Sequence, residues 1–188
     1  MKGALIVLGV LVLLALILGG SLIGARNDLV AEREAIHGQW AQVDSVMQRR
    51  LDLIPNLVET VKGAAGHEEK VVGEVTAARA AMMGAKTPAD RIAANSQLDG
   101  ALGRLMVVVE NYPNIKANEN FLHLQDELAG TENRIAIERR KYNEVVQHYN
   151  TDIALFPKNI AAGMFGFNRE DAYFKADTAA KEAPKVKF

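Results

Sequence analysis

Apolar residues recur along most of this chain at helical spacing, and almost nowhere at the period of two that marks a strand. The pattern opens with a different signal. From Gly3 to Ala25 there is no ionisable residue. Those 23 residues make about 34 Å of helix at 1.5 Å per residue, enough to cross a hydrocarbon core of about 30 Å. A cleaved signal peptide has a shorter apolar region and a clean small-residue cleavage site. Here Gly19, Gly20, Ser21, Gly24 and Ala25 form no clean site. The expectation is an uncleaved transmembrane anchor over residues 3–25, behind a two-residue N-terminus. Beyond it, Met47, Leu51, Ile54, Val58, Val61 and Ala65 alternate steps of four and three, one apolar helix face. No strong stop separates the span from this stretch, so the anchor is expected to run into the first helix of the body.

Three further helices are expected. The turn "GAAGHEE" precedes one from His67 to Met83, with Val71, Val75, Ala78 and Met82 on one face. Thr87, Pro88 and Asp90 then supply an N-cap, a first-turn proline and a first-turn acid. The helix they start carries Leu98, Leu102, Leu105 and Val109 and stops before Pro113. The last has the cleanest period: Phe121, Leu128, Ile135, Tyr142, Tyr149 and Phe156 lie seven apart. The fold class predicted is all-α: a transmembrane helix continuing into an antiparallel four-helix bundle with two long and two shorter helices, over residues 26–157. Residues 158–188 form a tail holding four phenylalanines. Its Met164, Phe165, Phe167 and Phe174 are the candidates for assembly or membrane contact.

The stretch "QRRLDLIPNLVETVKG", Gln48 to Gly63, breaks the apolar pattern with Arg49, Arg50, Asp52, Pro55 and Asn56. Proline inside a helix removes the hydrogen bond to the carbonyl four residues back, here Leu51. The cluster is therefore read as a structural joint. Pro55 kinks or restarts the helix, Asp52 is the N-cap if it restarts, the arginines reach Asp52 or a neighbouring helix, and Asn56 serves the freed carbonyl or its surroundings. In the last helix the polar pairs Glu132-Asn133 and Tyr142-Asn143, together with Asn150, are read as setting register across the bundle.

Composition narrows the chemistry. The net charge is -1 and aromatics are 6%, so neither a basic field nor a stacking platform for nucleic acid is present. There is no cysteine, hence no disulfide, thiolate site or lipid-modified cysteine. No phosphate-binding or nucleophile-elbow motif occurs. His67-Glu68-Glu69 begins like a zinc motif, but position 71 is valine. His37, His123 and His148 are read as lacking a carboxylate at ligand spacing. No cofactor, metal or catalytic residue is expected.

The blocks "RRLDLIPNLVETVKG", "ENYPNIKANENFLHLQDELAGTENRIAIERRKYNEVVQHYN" and "FP" resemble the LemA family of bacterial membrane-anchored proteins, over roughly residues 26–175. The resemblance implies a helical bundle behind an N-terminal anchor and no established enzyme activity. Some relatives carry a lipoprotein cysteine instead of the span. One takes part in magnetosome membrane formation, which implies a membrane-shaping role by analogy. Arg49, Arg50, Asp52, Pro55, Asn56, Tyr112, Pro113, Asn133, Tyr142, Asn143 and Asn150 match the family pattern and are carried over as architectural residues. The function expected is a non-enzymatic scaffold that contacts membrane lipid, self-associates as a homo-oligomer, and organises the bacterial inner membrane. The alternatives are an adaptor for another membrane protein, such as a membrane protease, and an undetected hydrolase. Lys2 lies before the span and Arg26 and Arg33 after it, a nearly balanced count. The short basic start favours the N-terminus inside and a periplasmic body, with a cytoplasmic body as the alternative.

Overall fold

A computed structural model describes residues 2–64 and 68–175. Among them the regular structure is entirely helical: α1 (Lys2–Ala64), α2 (Glu69–Gly84), α3 (Pro88–Val109), α4 (Pro113–Lys116), α5 (Glu119–Asp152) and α6 (Lys158–Phe165). Two long helices and two shorter ones are thus present, with two short additions. The apolar run and the first body helix are one element, as the absence of a stop between them predicts. Ala65, Gly66 and His67, placed by the sequence reading on a helix face and in the turn, lie outside the described residues.

The local chemistry explains most boundaries. Thr87 caps α3, its hydroxyl accepting from the Asp90 N–H at 3.1 Å and donating to the Asp90 carboxylate at 2.7 Å. Pro113 begins α4, where a missing donor costs little. Asn118 caps α5, accepting from the N–H groups of Asn120 and Phe121 at 3.0 and 3.2 Å. Gly166 ends α6 at φ 72, a left-handed conformation that favours glycine, and the Phe167 N–H closes the turn on the Ala162 carbonyl at 3.0 Å.

The described residues form two compact units. One comprises the chain up to residue 39 with residues 141–171, and the other residues 40–140 with 172 onward. In the second, Met47, Leu51, Ile54, Val58 and Val61 of α1 are buried, as are Leu98, Leu102, Leu105 and Val109 of α3. On α2 the buried face is Val72, Val75, Ala78 and Met82, with Val71 only half-buried. A buried position at 72 keeps the three-residue step to Val75, which the choice of Val71 does not. In the first unit the heptad stripe of α5 continues through Tyr142 and Tyr149, both buried. It stops there: α5 ends at Asp152, and Phe156 is 79% exposed.

From Leu5 to Leu18 every side chain of α1 is exposed. This is one helix long and apolar enough to cross a membrane. Ala25 and Leu29 are the first buried residues after it, so burial begins where the charge-free run ends.

Candidate functional site

The joint at Pro55 is built differently from the capped restart that the sequence suggests. α1 passes through Pro55 without restarting. The carbonyl of Leu51, left without its helical donor, accepts instead from Nε of Arg79 on α2 at 3.1 Å. Leu51 is fully buried, so water cannot serve that oxygen, and a buried unpaired carbonyl is costly. A guanidinium from the neighbouring helix therefore replaces the missing amide. Asp52 is not an N-cap, because there is no helix start for it to cap. It is exposed and accepts from Gln48 Nε2 at 2.9 Å, one turn back. Asn56 is likewise exposed on the body surface and does not serve Leu51.

Arg50 carries the second part of the site. Its guanidinium, 7% exposed, contacts the Asp99 carboxylate of α3 at 2.5 Å and the Glu132 carboxylate of α5 at 2.8 Å. Asp99 also accepts from Asn95 Nδ2 at 2.9 Å and from Arg139 at 3.4 Å. One arginine on α1 thereby joins three helices. Arg139 stands 5.1 Å from the ring centre of Phe174, which stacks on Trp40 at 6.1 Å and 22°. At the periphery, Arg49 pairs with Glu127 at 2.9 Å, holding that carboxyl below its ordinary value through the hydrogen bond. Arg91 pairs with Asp44 at 2.6 Å.

Over the Arg50 network lies an open depression of about 390 Å³, lined by Leu102, Gly103, Met106, Leu128 and Ala129 beside the charged groups. The charges there are matched to one another. Arginine does not release a proton at working pH, and guanidinium groups already engage both carboxylates. Fixed ion pairs of this kind orient helices. They lack the nucleophile and nearby base of a covalent mechanism.

A third cluster lies in the other unit. Lys158, at the start of α6, reaches Glu32 of α1 at 2.7 Å and Asp28 at 4.0 Å, and bonds Asp152 at the end of α5 most closely. His148 Nδ1 is 3.9 Å from Glu32. Glu32, His148 and Asp152 converge within metal-ligand reach. The reading that His148 lacks a carboxylate at ligand spacing is thus corrected: Asp152 stands one turn along, at i+4. Lys158, however, already places its ammonium among these carboxylates. Burial pushes the Glu32 carboxyl up, whereas the bond to Lys158 pulls Asp152 down. Burial also opposes the charge of Lys158, but its bonds to Asp152 and Glu32 prevail and hold its pKa above the ordinary lysine value.

The remaining expected residues divide. Asn150 is buried and makes two bonds to the Glu170 backbone, donating to its carbonyl at 2.7 Å and accepting from its N–H at 2.9 Å. It fastens the segment after α6. Tyr142 is buried and Asn143 half-buried. Of the pair Glu132-Asn133, Glu132 makes the interhelical contact, to Arg50, whereas Asn133 is exposed, which corrects its own reading as a register residue. In the tail, Phe174 is engaged by the chain's own Trp40 and Arg139, so it is not a free contact residue. Phe165 and Phe167 lie under Arg26 and Arg33 at 5.6 and 5.3 Å, and Met164 is exposed. Arg79, Asp99 and Arg139 were not singled out in the sequence. Each follows ordinary helical periodicity, and only tertiary proximity distinguishes it.

Among the described residues, one exposed apolar helix segment and ion-locked helices define a membrane-associated helical protein. Residues 39–188 match the LemA family, and the chain belongs to that family. Among relatives, the magnetosome protein MamQ 2 of Paramagnetospirillum magneticum is 29% identical over 202 residues, covering 94% of this chain and 73% of that protein. MamQ of Magnetospirillum gryphiswaldense is 35% identical over 83 residues, covering 44% and 30%. Protein LemA of Metamycoplasma hominis is 23% identical over 165 residues, covering 87% and 73%.

Proposed function

We propose that this protein is a non-enzymatic scaffold of the bacterial inner membrane. It is anchored by the first part of α1, and its body is an antiparallel helical bundle. It self-associates to organise or curve the bilayer. The observation that carries the reading is the continuity of α1. The same helix bears the exposed apolar span and the buried residues Met47, Leu51 and Ile54 of the body. The ion pairs at Arg50 support it, since they are disposed to fix helices. The name of the MamQ relatives, magnetosome proteins, supports a task at a specialised membrane. The N-terminus lies inside and the body in the periplasm.

Light scattering of particles extracted in mild detergent tests the reading. A homogeneous assembly of many copies is expected. A single copy bound to one other membrane protein in fixed ratio would replace the scaffold by an adaptor.

A further inference from the structure

We infer that the segment from Leu155 to Phe165 is a membrane-surface element whose ligand is phospholipid at the boundary of the bilayer that α1 crosses. The inference rests on the anchor reading above and adds to it a second, separate contact with the membrane.

α6 is fastened to the part of α1 that follows the apolar run. Lys158 binds Glu32 and Asp28, and the guanidinium of Arg26 lies 5.6 Å from the Phe165 ring centre. Arg26 is the first charge after residues 3–25. Glu32 is seven residues beyond Ala25, about 10 Å of helix rise. The headgroup layer outside the hydrocarbon is about 5–8 Å thick on each side. Both ends of α6 thus lie within or just above that layer, and Phe165 is at its inner edge. Buried Ala161 and Ala162 allow the close approach. After Phe165 the left-handed Gly166 turns the chain away. Phe167 rests under Arg33, and the Asn168 carbonyl accepts from the Tyr149 hydroxyl at 2.8 Å. The Phe165–Gly166 turn is therefore the point of this segment nearest the membrane.

Leu155, Phe156, Ile160, Met164 and Phe165 are all exposed, Met164 at 65%. Residues 155–167 contain one ionisable group, Lys158, and its charge is taken up by Asp152 and Glu32. An exposed apolar face without free charge calls for an apolar partner. At this level beside the span, that partner is the acyl–headgroup boundary, where such short elements bury about 5–10 Å. Arg26 and Arg33 stand beside it to meet anionic headgroups.

The chain has no cysteine, so a single nitroxide reports one site. Full-length Met164→Cys and Leu14→Cys proteins are spin-labelled in vesicles of phosphatidylethanolamine and phosphatidylglycerol at 3:1. Collision with oxygen is compared with collision with a water-soluble nickel chelate, with free nitroxide in buffer as the reference. The expected result is an oxygen preference several-fold above the reference at position 164, and a larger one at position 14. A water-like label at 164 with a hydrocarbon-like label at 14 would overturn this inference alone. A water-like label at both would overturn the anchor as well. Dipolar broadening at 164 that vanishes on dilution with unlabelled protein would place a second copy on this face and overturn the lipid assignment.

Discussion

Replacing Arg79 by methionine tests how the chain accommodates Pro55. The substitution keeps an unbranched apolar stem and removes the donor that serves the Leu51 carbonyl. That oxygen belongs to a fully buried residue, and leaving a buried acceptor unmade costs about 1–3 kcal/mol. A loss near 2 kcal/mol corresponds to about 4–8 °C in the thermal midpoint for a chain of this size. The diagnostic quantity is the coupling with Pro55. Pro55→Ala returns the backbone N–H that a helix directs at the carbonyl of Leu51. In that background the carbonyl keeps a donor, and Arg79→Met should cost only about 0.5 kcal/mol. The double-mutant cycle, measured by urea denaturation in detergent with helical circular dichroism, should show a coupling of about 1.5 kcal/mol. Additivity within about 0.3 kcal/mol would refute the substitution of guanidinium for amide.

Arg50→Met should lower stability by about 1–3 kcal/mol, because Asp99 and Glu132 lose their shared cation while staying partly exposed and Asp99 keeps Arg139 and Asn95; thermal unfolding checks it. Asp52→Ala should stay within about 0.5 kcal/mol, since this exposed carboxylate caps nothing; a loss above 1 kcal/mol would restore the capping role. Asp152 has a folded pKa below its ordinary value of 3.8, so its stabilising effect is complete above about pH 4 and disappears as pH falls through the depressed value. The stability difference between the wild type and Asp152→Asn should accordingly be constant from pH 5 to 7 and shrink below pH 4. Phe174→Ala should lower the thermal midpoint while leaving particle size unchanged, because the ring packs on Trp40 and Arg139 of its own chain.

The helices were legible because their apolar periods are long and their stop signals local. Thr87, Pro88 and Asp90 announce α3 within four residues, and the heptads of α5 hold from Phe121 to Tyr149. The joint was legible only as an anomaly. Pro55 and Arg50 stand out in an apolar face, but their partners are 24 or more residues distant on other helices. Nothing in the local pattern of Arg79 or Asp99 marks them. The local solution, Asp52 as a cap, was chemically sound and lost to a tertiary one. The pair Glu132-Asn133 was legible as a pair, but not which member faces the neighbouring helix, since adjacent residues differ by about 100° around a helix. The small element α6 was hidden because "FPKNIAAGMFGF" is too short for a periodic signal.

The claim that this family member organises a membrane is tested most directly by electron cryo-microscopy of the full-length protein reconstituted into phosphatidylethanolamine–phosphatidylglycerol vesicles. The account predicts ordered clusters of many copies, with the bilayer beneath them differing in curvature from protein-free vesicles. Single, randomly dispersed copies on vesicles of unchanged shape, at every protein density reached, would contradict it.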